Sequence, residues 1–88
     1  MPQNLDKAEK YLLLAEDKEY TQYALAKLYL QEEKYDIQKA VNYFEKSADK
    51  YHWASYQLGR IYLFGAKDIE RDKEQAIEWF TKSAYDGN

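Results

Sequence analysis

The chain is 88 residues long, 45% hydrophobic and 17% aromatic, with a formal net charge of -3 and no cysteine. Such a chain is one small domain or part of one; disulfides and thiolate metal sites are excluded, and the acidic balance argues against a general nucleic-acid binder. A mean hydropathy of -0.90 beside so many apolar residues means that apolar and charged positions are interleaved, as amphipathic helices require. No window approaches the ~18 apolar residues of a membrane span, and the start, Met1 to Asp6, carries no basic and apolar signal. A soluble cytoplasmic chain is the expectation, and the lack of cysteine fits it.

In chain order, Leu5, Ala8, Leu12 and Ala15 recur at helical spacing behind Asn4, a residue suited to capping, and predict a helix over 5–16. Glu16 to Glu19 is a polar turn without Gly or Pro. A second helix is predicted over 20–31, with Leu25, Leu28 and Tyr29 as its inner stripe. Gln31 to Tyr35 is a polar connection. Asp36 then caps a third helix over 36–49, whose buried face is Ile37, Ala40, Val41, Phe44 and Ala48. A fourth helix over 52–64 stops at Gly65, the residue best able to take the left-handed conformation at a helix end. Ala66 to Arg71 is a longer loop. Asp72, with Gln75 three residues on, resembles a capping box for a fifth helix over 72–85, expected to bury Ala76, Ile77, Phe80 and Ala84.

These elements repeat. Tyr20 to Leu30 lies over Trp53 to Leu63 at an offset of 33, sharing Tyr23/Tyr56, Leu25/Leu58, Tyr29/Tyr62 and Leu30/Leu63. Asp36 to Ala48 lies over Asp72 to Ala84 at an offset of 36, because the second connection is three residues longer. A period in the thirties means a solenoid of helical hairpins. Ala8, Tyr11 and Leu12 align with Ala40, Tyr43 and Phe44 at an offset of 32, so 5–16 reads as the second helix of a preceding repeat, with 20–49 as repeat one and 52–86 as repeat two. Tyr85 to Asn88 aligns with the turn that opens the next unit. The expectation is one helical-repeat domain cut from a longer array, a natural end at Asn88 being the alternative. The last helix should then carry apolar surface, Trp79 and Tyr85 included, open to weak association with another copy. Small residues at Ala26/Gly59 and Ala40/Ala76 are read as close helix contacts beside Phe44 and Phe80, which gives Gly59 a packing reason inside a helix.

The run from Ala54 to Gly65, followed by Asp72 to Asn88, resembles a Sel-one-like repeat, a relative of the tetratricopeptide repeat with a longer loop. The likeness covers Tyr20 to Asn88 as two units. The first unit departs from it, with Ala26 for the helix Gly, Thr21 for the leading Ala and no loop Gly. The resemblance implies an all-α array of about five helices, antiparallel hairpins stacked as a right-handed α/α superhelix. The segments Trp53 to Gly59, Ala76 to Trp79 and Lys82 to Ala84 are also similar to repeats in the C-terminal region of relaxases and mobilisation proteins of Gram-positive conjugative elements, which would place a DNA-nicking domain elsewhere in the parent protein.

No catalytic, metal or cofactor site is read from the residues. His52 has no His or Cys companion, Glu9, Glu45, Glu74 and Glu78 fall on solvated helix faces, and three Gly form no phosphate-cradling loop. The resembled superhelix lines its concave side with the first helix of each hairpin. That implies a partner-binding groove of Tyr20, Tyr23, Lys27 and Gln31 from one unit and Trp53, Tyr56, Arg60 and Phe64 from the next. Aromatic, aromatic and cation recur there, a pattern enriched in interface hot spots; for Tyr23 and Tyr56 the competing reading is packing between hairpins. Two cations in an acidic protein suggest an acidic segment of a protein partner, held by charge-assisted hydrogen bonds. Single-stranded nucleic acid is the alternative ligand, disfavoured because two cations are too few to track a phosphate backbone. A structural spacer needs no groove chemistry at all.

Overall fold

Among the described residues five α-helices follow one another: α1 (Leu5–Leu13), α2 (Glu19–Leu28), α3 (Ile37–Ser47), α4 (His52–Phe64) and α5 (Lys73–Asp86). The computed structural model describes residues 4–87. Met1 to Gln3, part of the start read as lacking a signal, and Asn88, read as a repeat boundary, lie outside the described residues. Among the described residues there is no strand; Ala66 and Ile69 form one isolated bridge.

Capping chemistry sets the register of the second helices. Asn4, Asp36 and Asp72 each accept a hydrogen bond from the backbone N–H three residues on, at 3.0, 3.2 and 3.0 Å, satisfying a donor that the first helical turn leaves free. The capping box expected at Asp72 forms only by half. The Gln75 side chain donates to the Asp72 carboxylate at 3.3 Å, because the Asp72 N–H is already spent on the Tyr62 carbonyl at 2.8 Å. The same bond ties the Asp36 N–H to the Tyr29 carbonyl at 2.9 Å. Each hairpin is therefore clasped at one equivalent point, although the connections differ in length.

Those connections differ in kind as well. The first contains a 3-10 turn, Glu32–Lys34. In the second, Gly65 adopts φ 73° and ψ 171°, a region essentially reserved for glycine, so the expected positive φ is present but the residue is extended rather than left-handed helical. Ala66 and Ile69 then pair across a two-residue turn in which Asp68 takes φ 65°. The first three helices are shorter than the periodicity predicts, ending at Leu13, Leu28 and Ser47. After α1 and α2 the chain tightens into bonds spanning three residues, Ala15 N–H to the Leu12 carbonyl and Gln31 N–H to the Leu28 carbonyl, which apolar spacing cannot distinguish from continued helix.

The core lies where α2, α3 and α4 meet. Leu25, Leu28, Tyr29, Ile37, Ala40, Val41, Phe44, Ala48, Ala54 and Leu58 are buried there. Helices pack closely within each hairpin, α2 on α3 and α4 on α5, and less extensively across the seams between α1 and α2 and between α3 and α4. A Cβ built on Gly59 would lie 2.6 Å from the Phe80 ring, so the close contact expected at Gly59 is present. On α5 the expected buried face is corrected. Ala76 is buried and Phe80 half-buried, but Ile77 and Ala84 are exposed and Ser83 is buried instead. Among the described residues, α4 is the helix that packs closely on α5, and Ile77 and Ala84 stay exposed.

Candidate partner-binding face

α2 and α4 carry the residues read as a groove, and the structure divides them. Tyr23 is half-buried, its ring edge-on to Phe44 at 5.7 Å and stacked on Tyr51 at 6.1 Å. Tyr56 meets Phe80 at 5.6 Å in the second hairpin, so both tyrosines serve packing within the hairpins while keeping part of each ring outside. Tyr20, Trp53, Arg60 and Phe64 are exposed, with 54% of Trp53 open to solvent. Lys27 is exposed and lies over the Tyr23 ring at 5.6 Å, inside the range where a cation is attracted to an aromatic face.

One residue joins the two sets. Tyr51, just before α4, stands 6.0 Å from Tyr20 and 6.1 Å from Tyr23, and the next residues continue the line with His52 against Trp53 at 4.6 Å and Trp53 against Tyr56 at 6.0 Å. Reading by repeats passes over Tyr51 because its counterpart at an offset of 33 is Lys18, which is not aromatic. Its only signal was a Tyr at the entry to a helix already rich in rings.

Lys27 and Gln31 also line an open cleft of about 420 Å3 between α1 and α2, together with Asn4, Leu5, Ala8, Leu12, Ala24 and Leu28. Trp53, Tyr56, Arg60 and Phe64 lie outside it. Among the described residues the cations engaged in ion pairs are Lys34, with Asp6 and with Glu9, and Lys82, with Asp49 and with Asp86. Neither Lys27 nor Arg60 is among them.

The seam that holds α1 is polar. The Tyr29 hydroxyl donates to the Glu9 carboxylate at 2.6 Å, and the Tyr43 hydroxyl to that of Glu16 at 3.0 Å. The Tyr29 bond, helped by Lys34, holds the Glu9 carboxyl below its usual range. Burial, and then the facing carboxylate, push both tyrosines up. Asp6 and Glu9 in turn raise Lys34. No group of three or more His, Cys, Asp or Glu side chains is placed to hold a metal ion among the described residues, and no helix there is long and apolar enough to cross a membrane.

No curated protein and no solved structure matches the chain. The Sel1 repeat family matches it at residues 1–20, 19–52 and 54–88. The last two matches follow the hairpins α2 with α3 and α4 with α5, and the first falls on the half-unit that contains α1. Repeats of this family are helical hairpins that generally mediate protein–protein interaction. With nearly every residue inside one of the three matches, this chain belongs to the Sel1 repeat family.

Proposed function

We propose that the chain is a non-catalytic cytoplasmic scaffold module that seats a segment of a partner protein along α2 and α4. The reading is carried by one observation: exposed rings at Tyr20 and Trp53, and exposed cations at Lys27 and Arg60, stand at equivalent positions of the two hairpins, the cations with no ion pair among the described residues. Tyr23, Tyr51, Tyr56 and Phe64 extend the surface between and beyond them. Large rings offer contact area at little cost in conformational entropy, and a guanidinium left unpaired suits a carboxylate that a partner brings. The partner segment is accordingly acidic and carries apolar or aromatic side chains. The wider setting we propose, a DNA-mobilisation protein, is supported by the likeness of Trp53 to Gly59 and Ala76 to Trp79 to repeats of such proteins.

Titration of an acidic, aromatic-containing peptide into the chain tests the binding reading. Arg60→Glu should weaken binding by about 1.5 to 3 kcal/mol where the new hydrogen bond is desolvated, and affinity should change little between low and physiological salt. Labelled single-stranded DNA is the control. DNA binding with a steep salt dependence, abolished by Lys27→Glu with Arg60→Glu, would replace the protein partner by nucleic acid. Indifference of the full-length protein to the double substitution would leave a spacer.

A further inference from the structure

The three capping residues Asn4, Asp36 and Asp72 put α1, α3 and α5 in a common register, and two positions of that register can be compared along the array. In the unit of α3 they hold Val41 and, at its C-cap, Ala48, 7% and 2% exposed. In the unit of α1 the counterparts are Glu9 and, in the turn after the helix, Glu16, which accept from Tyr29 at the end of α2 and from Tyr43 on α3. On α5 they are Ile77 and Ala84, apolar like those of α3 but exposed, Ile77 by 55%. α5 thus has the apolar chemistry of α3 but stays uncovered there among the described residues, while α1 and the turn after it sit on α2 and α3 through carboxylates and α1 buries no residue fully.

The other side of α1 is incomplete too. Leu5, Ala8 and Leu12 are the counterparts of Ile37, Ala40 and Phe44, which are buried beneath α2. On α1 the same positions line the open cleft beside Ala24, Lys27, Leu28 and Gln31. Their counterparts on α5 are Lys73, Ala76 and Phe80, and on that side α5 already carries α4.

We infer that α5 of one copy takes the seat of α1 on α2 of a second copy, its own α4 filling the cleft, so that the chain adds to itself head to tail. Ile77 and Ala84 would lie on Tyr29 and Tyr43, covered as Val41 and Ala48 are. Charge fits as well. Glu74 stands in the register position of Asp6, so Lys34 of the second copy, released from Asp6 and Glu9, meets a carboxylate again. α1 is then a stopper, displaced when a copy docks. Because the joined faces are different surfaces, the contact is heterologous and builds a ring or an open chain rather than a two-fold dimer. This proposal uses α1 and α5 and stands apart from the partner-binding face on α2 and α4.

Sedimentation of the full chain at rising concentration, read together with amide hydrogen exchange, is the test. The average mass should climb beyond that of a dimer, exchange over α1 should speed up as association proceeds, and exchange over α5 should slow. Ile77→Asp, at an exposed position that leaves folding alone, should lower the association constant at least about tenfold. Tyr29→Phe, which cuts the tie of α1 through Glu9 and leaves an apolar ring for Ile77 to meet, should raise it. Three outcomes overturn the proposal: a mass that stops at a dimer, α1 exchange that does not respond to concentration, or a chain that stays monomeric both as it is and with Tyr29→Phe.

Discussion

In the first hairpin, α3 hides Ile37, Ala40, Val41, Phe44 and Ser47 from solvent, whereas in the second, α5 hides only Ala76 and Ser83. The two hairpins share the aspartate clasp, the aspartate cap and the tyrosine–phenylalanine contact, at 5.7 Å in one and 5.6 Å in the other. Apart from Ile37, whose counterpart is Lys73, their apolar residues differ by conservative exchanges such as Val41 for Ile77. At those positions what separates them is the neighbour. α3 packs against both α2 and α4, while among the described residues α5 packs closely on α4. In a stacked array, burial is conferred by the adjoining unit, and the local sequence only makes a residue fit to receive it.

The largest effect that tests this contrast is on the two phenylalanines. Phe44→Ala should cost about 3 to 5 kcal/mol in denaturant unfolding, as expected when a fully enclosed ring is removed, and Phe80→Ala about half as much, because Phe80 is only half-buried. Equal losses would break the comparison.

A second contrast concerns helix approach within each hairpin. Gly59→Leu should cost about 1 to 3 kcal/mol or more through overpacking, since even a Cβ there meets the Phe80 ring at 2.6 Å. Ala26→Gly, at the equivalent place in the first hairpin, should cost roughly 1 kcal/mol from backbone freedom. Thermal melts in which Gly59→Leu matches the parent would remove the close contact from the account.

The two seams should part company in acid. Glu9 is held below the ordinary glutamate value of 4.5 by Tyr29 and Lys34, so its stabilising share is present above the unfolded value and is lost as pH falls through the lowered folded one. Amides of α1 should therefore lose exchange protection before those of α4, whose neighbour α3 carries Val41 where α1 has Glu9. Simultaneous loss would show that the carboxylate does not hold α1.

The smallest effect is expected at Ser55, fully buried with its Oγ lacking a hydrogen-bond partner. Ser55→Ala should be neutral or stabilising by up to about 1 kcal/mol, because no bond is lost and an unpaired polar atom is removed. Its counterpart Gln22 reaches the Glu16 carbonyl at 2.9 Å, so Gln22→Ala should move stability the other way.

Much of this arrangement was legible before any coordinates. Periodicity located all five helices, and the stripe of α3 held residue by residue, because apolar spacing and burial coincide when a helix is covered on both sides. On α5 the same spacing misplaced Ile77 and Ala84, since amphipathic pattern records which face can be covered and not whether a neighbour is present. Helix ends were missed where three-residue turns replace helical bonds without any change in composition. Among the face residues, alignment of the units found Lys27 with Arg60 and Tyr23 with Tyr56, whereas Tyr51, present in one unit only, left no such trace. The carboxylate ties of α1 went unseen because a Glu on an amphipathic helix looks solvated until a tyrosine from another helix meets it.

The clasp from Asp36 to Tyr29, repeated from Asp72 to Tyr62, separates hairpin geometry from the length of the connection. Three extra residues in the second connection leave the clasp in place, and by loop-closure entropy they cost only on the order of 0.3 kcal/mol. Lys67 and Asp68, at the tip of that connection, are exposed, so the tip is a splice point at which foreign sequence could be carried without disturbing the stack. Reporter peptides or a second binding motif grafted between Lys67 and Asp68 would travel on a scaffold whose helices need no redesign.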